Sequence, residues 1–292
     1  MNTNSNVYTV IYSTVIVTIV AAILAFAAQA LKPKQDANIK ADTISQMLTA
    51  AQFASKEDLA KISNDAVLDE YSKYIKEAFT VDAQGQKVRD LDLASREIAD
   101  NLHAQNTNLK KGNALELPVY IFDQGGKPVT VVPVYGAGLW GPVWGYIAFK
   151  DDLKTVAGAY FDHDSETPGL GAKIKDDPEF RAKFVGKIAA WGSDKVLSVL
   201  KGASQDNQVD AITGATMTSK GLGEAIETWL AAYKPYFSAN AVTAKNKCNC
   251  GQFCPCGEAC ECDCHCTPGQ DHCVCPDCPC ENCPTGSHLM EE

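Results

Sequence analysis

No formally charged side chain occurs between Asn2 and Leu31, and residues 7–30 are apolar apart from small hydroxyls, tyrosines and Gln29. At about 1.5 Å of rise per residue, a helix of that length crosses a hydrocarbon layer about 30 Å thick. The sequence therefore predicts a transmembrane helix over 7–31. Its Val and Ile content suits a helix solvated by lipid, with Tyr8 and Tyr12 at one interface and Lys32-Pro33-Lys34 at the other. A secretory signal carries Lys or Arg ahead of its apolar core, and none stands there. The small residues around Ala28 and Ala30 keep cleavage as an alternative. Lys32, Lys34 and Lys40 follow the run, which by charge bias alone would leave the rest of the chain in the cytoplasm.

The remainder divides by composition. The formal charge of −10 is concentrated at the end, because eight carboxylates and no Lys or Arg occur from Cys248 onward. The first 247 residues carry 28 acidic against 26 basic side chains. No basic cluster is left to follow a nucleic-acid backbone. All 13 cysteines fall between Cys248 and Cys283. A cofactor held by the body must therefore be held without sulfur.

Residues 37–59 read as a helix continuing from the membrane, with Ile39, Ile44, Met47 and Leu48 near 3.6-residue spacing. Val67, Leu68, Tyr71, Ile75 and Phe79 suggest a further helix, followed by a turn at 82–85, and Leu91, Leu93, Ile98 and Leu102 suggest short helical pieces. Residues 32–113 thus form a helical membrane-proximal region. From Leu117 the pattern changes to β-rich runs at 119–123, 129–135, 143–150 and 155–161, with turns at Gly125-Gly126 and in the glycine-rich 136–141. A helix over 177–191 and strands over 195–200 and 208–212 follow. The expected fold is α+β, a twisted antiparallel sheet with flanking helices over 114–237. No GxGxxG follows a predicted strand, so a dinucleotide-binding Rossmann unit is not supported. A polar linker, 238–247, leads to the cysteine-rich segment 248–283.

The densest group of hydroxyls lies in residues 209–223. Val209 and Ile212 read as a strand end, Gly214 as a tight turn, and Thr218 or Ser219 as the cap of a helix running to about Tyr233. Thr213, Thr216, Thr218 and Ser219 then surround a helix N-terminus, whose unpaired N–H groups attract phosphate. Gly214 and Ala215 leave room for one to approach. Read alone, the pattern is more often an ordinary cap than an anion site, and Lys220 is equally a phosphate contact or a solvated side chain. Gly138-Leu139-Trp140-Gly141 reads by itself as a tryptophan under a turn, and Glu166-Thr167-Pro168-Gly169-Leu170-Gly171 as a rigid turn.

Asp210-Ala211-Ile212-Thr213-Gly214-Ala215-Thr216 resembles the flavinylation motif of the C subunit of the sodium-pumping NADH:quinone reductases and of the G subunit of the Rnf complex. The Gly138–Gly141 and Glu166–Gly171 segments and the N-terminal membrane helix occur in the order those families show. The resemblance covers most of residues 7–237 and favours the sodium-pump protein over the Rnf one. It implies FMN attached through its phosphate to Thr216, with Thr213, Gly214, Ala215, Thr218 and Lys220 around the attachment. It further implies Leu139 and Trp140 as walls for the ring, with Glu166, Thr167, Gly169 and Leu170 beside it. Asp210 is then part of the signal read by a flavin transferase that uses FAD and Mg²⁺, and His163 receives no proton-transfer role. The implied protein is a single-pass bacterial inner-membrane electron carrier that works with the other reductase subunits. Its flavin domain lies on the extracytoplasmic side, against the lysine bias.

The tail resembles metallothionein-like segments. Cys248, Cys250, Cys254, Cys256, Cys260, Cys262, Cys264, Cys266, Cys273, Cys275, Cys278, Cys280 and Cys283 recur mostly as Cys-x-Cys, a spacing suited to thiolates bridging Zn²⁺ or Cu(I), with His265 and His272 as further ligands. Disulfides in an oxidising compartment are the alternative, though an odd count leaves one thiol unpaired. Residues 284–292 include Gly286-Ser287-His288-Leu289-Met290, which resembles a cloning-derived end. A membrane-tethered metal-binding protein is the non-enzymatic reading.

Overall fold

The computed structural model describes residues 6–91 and 97–245. The cysteine-rich segment, residues 284–292 and the expected helical position of Leu93 lie outside the described residues.

One helix, α1 (Asn6–Ala50), has two unlike halves. Its apolar first half is exposed on every side, as Phe26 at 78% illustrates, whereas Ala41, Ile44, Met47 and Leu48 are buried. The first half is long and apolar enough to cross a membrane. There, Thr14 and Thr18 donate their hydroxyl protons to the carbonyls of Val10 and Thr14, at 2.8 Å each, so neither leaves an unpaired donor on the exposed apolar half. After α2 (Lys56–Leu59), α3 (Asn64–Tyr74) starts at Ser63, whose hydroxyl accepts from the N–H of Ala66.

The expectation of a helix through Phe79 is corrected at Tyr74. Ile75–Val81 is strand β1, paired with β2 (Lys87–Asp90), and a six-stranded sheet begins inside the region read as helical. Phe79 and Val81 are held by the sheet core, a tertiary contact that outweighs the local 3.6 pattern. Helix α4 (Glu97–Lys111) precedes β3 (Leu117–Gln124), β4 (Lys127–Ala137), β5 (Pro142–Phe149) and β6 (Val156–His163). The order is β2-β1-β3-β4-β5-β6, antiparallel throughout. Gly125 and Gly126, at φ +64° and +89°, make the two-residue turn between β3 and β4.

Helices cover both faces of this sheet. Tyr120, Phe122, Val131, Tyr146 and Tyr160 meet the last turns of α1 and α3. Val132, Val134, Val143, Ile147 and Phe161 meet the C-terminal helix α7 (Thr216–Lys245) through Leu222, Ile226, Trp229 and Tyr233. Each large apolar side chain buried this way contributes about 1.5–3 kcal/mol. Between β6 and α7 the chain forms α5 (Lys173–Asp176), α6 (Pro178–Ala182) and a two-stranded parallel sheet, β7 (Ser198–Leu200) with β8 (Gln208–Asp210). The helix expected over 177–191 stops at Ala182, four residues before Gly186 at φ +79°. Trp191 then stacks on Phe237 at 4.3 Å and donates its indole N–H to the Leu153 carbonyl at 2.7 Å. The expected linker is helical to Lys245, in keeping with alanines at 239, 241 and 244.

Helix α7 reaches the end of β4 through glycine. A Cβ at Gly221 would lie 2.1 Å from the Ala137 carbonyl oxygen, and one at Gly136 would lie 2.6 Å from Ala225 Cβ. Glycine to alanine in a helix ordinarily adds stability. Gly221→Ala is expected to do the reverse, by about 1–3 kcal/mol, as urea unfolding will measure.

Candidate functional site

The loop from β8 into α7 is closed by its own backbone. Gly214 turns at φ +83°, the Ala215 N–H reaches the Ile212 carbonyl at 3.1 Å, and Ser219 Oγ accepts from the Ile212 N–H at 3.1 Å. The helix begins at Thr216, earlier than the cap expected at Thr218 or Ser219, and both of those side chains are buried. Thr213, Gly214, Thr216, Met217 and Lys220 are exposed. The first N–H groups of a helix have no intrahelical acceptor, so an anion on Thr216 sits at the favourable end of the dipole.

Glu166 ties the three motif segments together. Its side chain is 5% exposed, and its Oε1 accepts from the backbone N–H of Leu139 at 2.7 Å and of Trp140 at 3.1 Å. Oε2 accepts from the Thr218 hydroxyl at 2.6 Å. The Glu166 N–H donates to His163 Nδ1 at 3.2 Å, which fixes the loop from behind. Two neighbouring glycines make room: a Cβ at Gly138 would fall 2.3 Å from Oε1, and one at Gly171 2.4 Å from Oε2. Glu166 and Thr218 thus spend their polar atoms on each other and on the β4–β5 loop.

That loop holds Leu139 and Trp140 outward, 50% and 66% exposed, with Leu170 at 45% and Met217 at 57%. A Cβ at Gly214 would touch Leu170 Cδ2 at 3.3 Å, so this apolar platform extends to the turn before Thr216. Thr167 is exposed, its carbonyl accepts from the N–H groups of Leu170 and Ala172, and Gly169 takes φ +75°. Met217 carries no motif signal, and only its place beside Thr216 on an exposed helix turn could have marked it.

On the other side of Thr216 lies a cleft of about 450 Å³. Thr213, Gly214, Thr216 and Lys220 line it, together with Lys195, Lys201, Glu224 and Glu227. Lys220 lies 3.7 Å from Glu224 and Lys195 3.3 Å from Glu227. Asp210 faces the β7–β8 connection, where its Oδ1 accepts from the N–H groups of Ala203 and Gly202, both at 3.0 Å. The Ala203 amide, seconded by that of Gly202, holds its carboxyl below the ordinary carboxylate range. The groups present fit a flavin phosphoester: an accessible hydroxyl at a helix start, an apolar platform for a planar ring, and cations in the adjoining cleft. Among the described residues no cluster of His, Cys, Asp or Glu is arranged for a metal.

Residues 138–231 match the FMN-binding domain family. The chain is 32% identical to the C subunit of the Na(+)-translocating NADH-quinone reductase of Haemophilus ducreyi over 237 residues, covering 76% of this chain and 89% of that protein. The corresponding Pseudomonas aeruginosa protein is 42% identical over 121 residues, 38% of this chain and 46% of that one. Among solved structures, the C subunit of the reductase from Parabacteroides distasonis superposes with a TM-score of 0.59 at 33% identity, covering 71% of this chain and 97% of that chain.

Proposed function

The chain belongs to the family of C subunits of the Na(+)-translocating NADH-quinone reductases, and from that membership we propose that it carries electrons through FMN esterified by its phosphate to Thr216. The observation that carries this reading is the position of the exposed Thr216 hydroxyl, between the Leu139–Trp140–Leu170 platform and a lysine-bearing cleft. Bound flavin supplies reversible electron uptake. The chain supplies the tether, an apolar surface that desolvates one side of the ring, and helix N–H groups that favour the phosphate charge. Leu139, Trp140, Thr167, Gly169 and Leu170 border the ring, while Glu166 and Thr218 hold the border in place. Attachment requires a transferase that brings FAD: the threonine oxygen displaces AMP at the flavin-side phosphorus, and its proton is released.

In this reading α1 spans the bacterial inner membrane once, the flavin domain stands on the extracytoplasmic side, and the other reductase subunits deliver and remove electrons and move sodium. The domain has no NADH-binding task of its own. A peptide containing Thr216, from denatured protein made together with its transferase, is expected to carry the mass of FMN less one water. An unmodified peptide from such cells would refute the assignment.

The cysteine segment supports a separate metal-thiolate function, favoured by 13 thiols in 36 positions, 248–283. Protein isolated without chelator is expected to hold several equivalents of Zn²⁺ or Cu(I) by elemental analysis, all lost on truncation after Lys245. Metal-free protein with six disulfides by mass would count against it.

A further inference from the structure

Three lysines line the cleft beside Thr216, and two have carboxylates on α7: Lys195 with Glu227 and Lys220 with Glu224. Lys201 has no ion pair among the described residues. The cleft therefore carries three positive and two negative side chains, and the unmatched charge belongs to Lys201. A phosphodiester carries one negative charge. We infer that Lys201, on the β7–β8 connection, pairs with the phosphodiester on Thr216 and fixes the linkage to the cleft side of α7, an inference that rests on the attachment proposed above.

The loop is built to hold that lysine. Gly202 turns at φ +76°, and Asp210 accepts from the amides of Gly202 and Ala203, immediately after Lys201. The first residue of the flavinylation-like motif thus anchors the backbone next to the cation, while the last residue, Thr216, opens on the same cleft. Asp210 itself is occupied by these two amides, so a carboxylate and a phosphodiester can belong to one short motif without meeting. Lys220, the cation nearest Thr216 in sequence, has Glu224 one turn along and is only partly available.

The test uses the full-length flavin-loaded protein in detergent. Peptide mass first establishes the adduct on Thr216, and ³¹P NMR then reads the phosphodiester. Lys201→Gln is expected to displace the phosphorus resonance relative to wild type, Lys201→Arg to restore most of the original position, and Lys220→Gln to move it less than Lys201→Gln. The displacement between wild type and Lys201→Gln should shrink in high salt, since the pair is solvent-accessible. An unmoved resonance in Lys201→Gln, or a larger displacement in Lys220→Gln, overturns the inference while leaving the attachment intact. Absence of the adduct from wild type instead removes the attachment reading and the phosphate pairing with it.

Discussion

Thr216→Val is expected to yield a folded, membrane-inserted chain that carries no covalent flavin. Valine keeps the shape of threonine and removes only the oxygen, and because the side chain is exposed the cost in stability stays within about 0.5 kcal/mol. Cofactor loss, by contrast, is expected to be complete, because Thr213, Thr218 and Ser219 are not placed to substitute. Thr218 donates to Glu166 at 2.6 Å and Ser219 accepts from Ile212 at 3.1 Å, both buried. Thr213 is exposed but precedes the Gly214 turn, outside the first turn of the helix. In-gel flavin fluorescence after denaturation should fall to background in Thr216→Val and persist in Thr216→Ser, and electron transfer by the assembled complex should be lost in the former. Fluorescence retained by Thr216→Val would place the attachment elsewhere.

Elements whose signal is local could be read from the sequence, and those fixed by contacts distant along the chain could not. The N-terminal apolar helix was legible because its uncharged run is long enough to cross a bilayer. The β3–β4 hairpin was legible because Gly125-Gly126 supplies the positive φ its turn demands. Ile75–Val81 was not, since its apolar residues continue the helical spacing of α3 and only pairing with Leu117–Phe122 makes them a strand. At the site, the family resemblance named Thr216, Leu139, Trp140 and Glu166, but the bonds from Glu166 to the loop amides join residues 26 and 27 positions apart and had no signal in the sequence. Gly171, read alone as part of a rigid turn, makes room for the Glu166 carboxylate. Lys201, proposed above as the phosphodiester's partner, had no signal at all, because that proposal depends on which lysines carboxylates of α7 neutralise.

Glu166 should therefore behave as a clamp that can be graded by substitution. Glu166→Ala leaves the amides of Leu139 and Trp140 and the hydroxyl of Thr218 without their acceptor, and opens space between Gly138 and Gly171. A hydrogen bond to a charged group contributes about 1.5–3 kcal/mol, and water entering beside the exposed loop recovers part of it, so a net loss of about 2–4 kcal/mol is expected. Glu166→Gln keeps one oxygen for the two amides, and its NH₂ can donate to Thr218 Oγ, whose hydroxyl reverses; the loss should be about 1 kcal/mol. Glu166→Asp is one methylene short of spanning both partners and should fall nearer to Ala. Because Thr216 is untouched, FMN should still attach in Glu166→Ala, but the ring should lose its platform as Leu139 and Trp140 are freed. Flavin fluorescence anisotropy should drop in the order wild type, Gln, Asp, Ala, matching the order of the unfolding midpoints. An Ala variant with unchanged midpoint and anisotropy would show that α7 and the β4–β5 loop hold their places without the carboxylate. The Gly136–Ala225 and Gly221–Ala137 contacts would then be what positions the site.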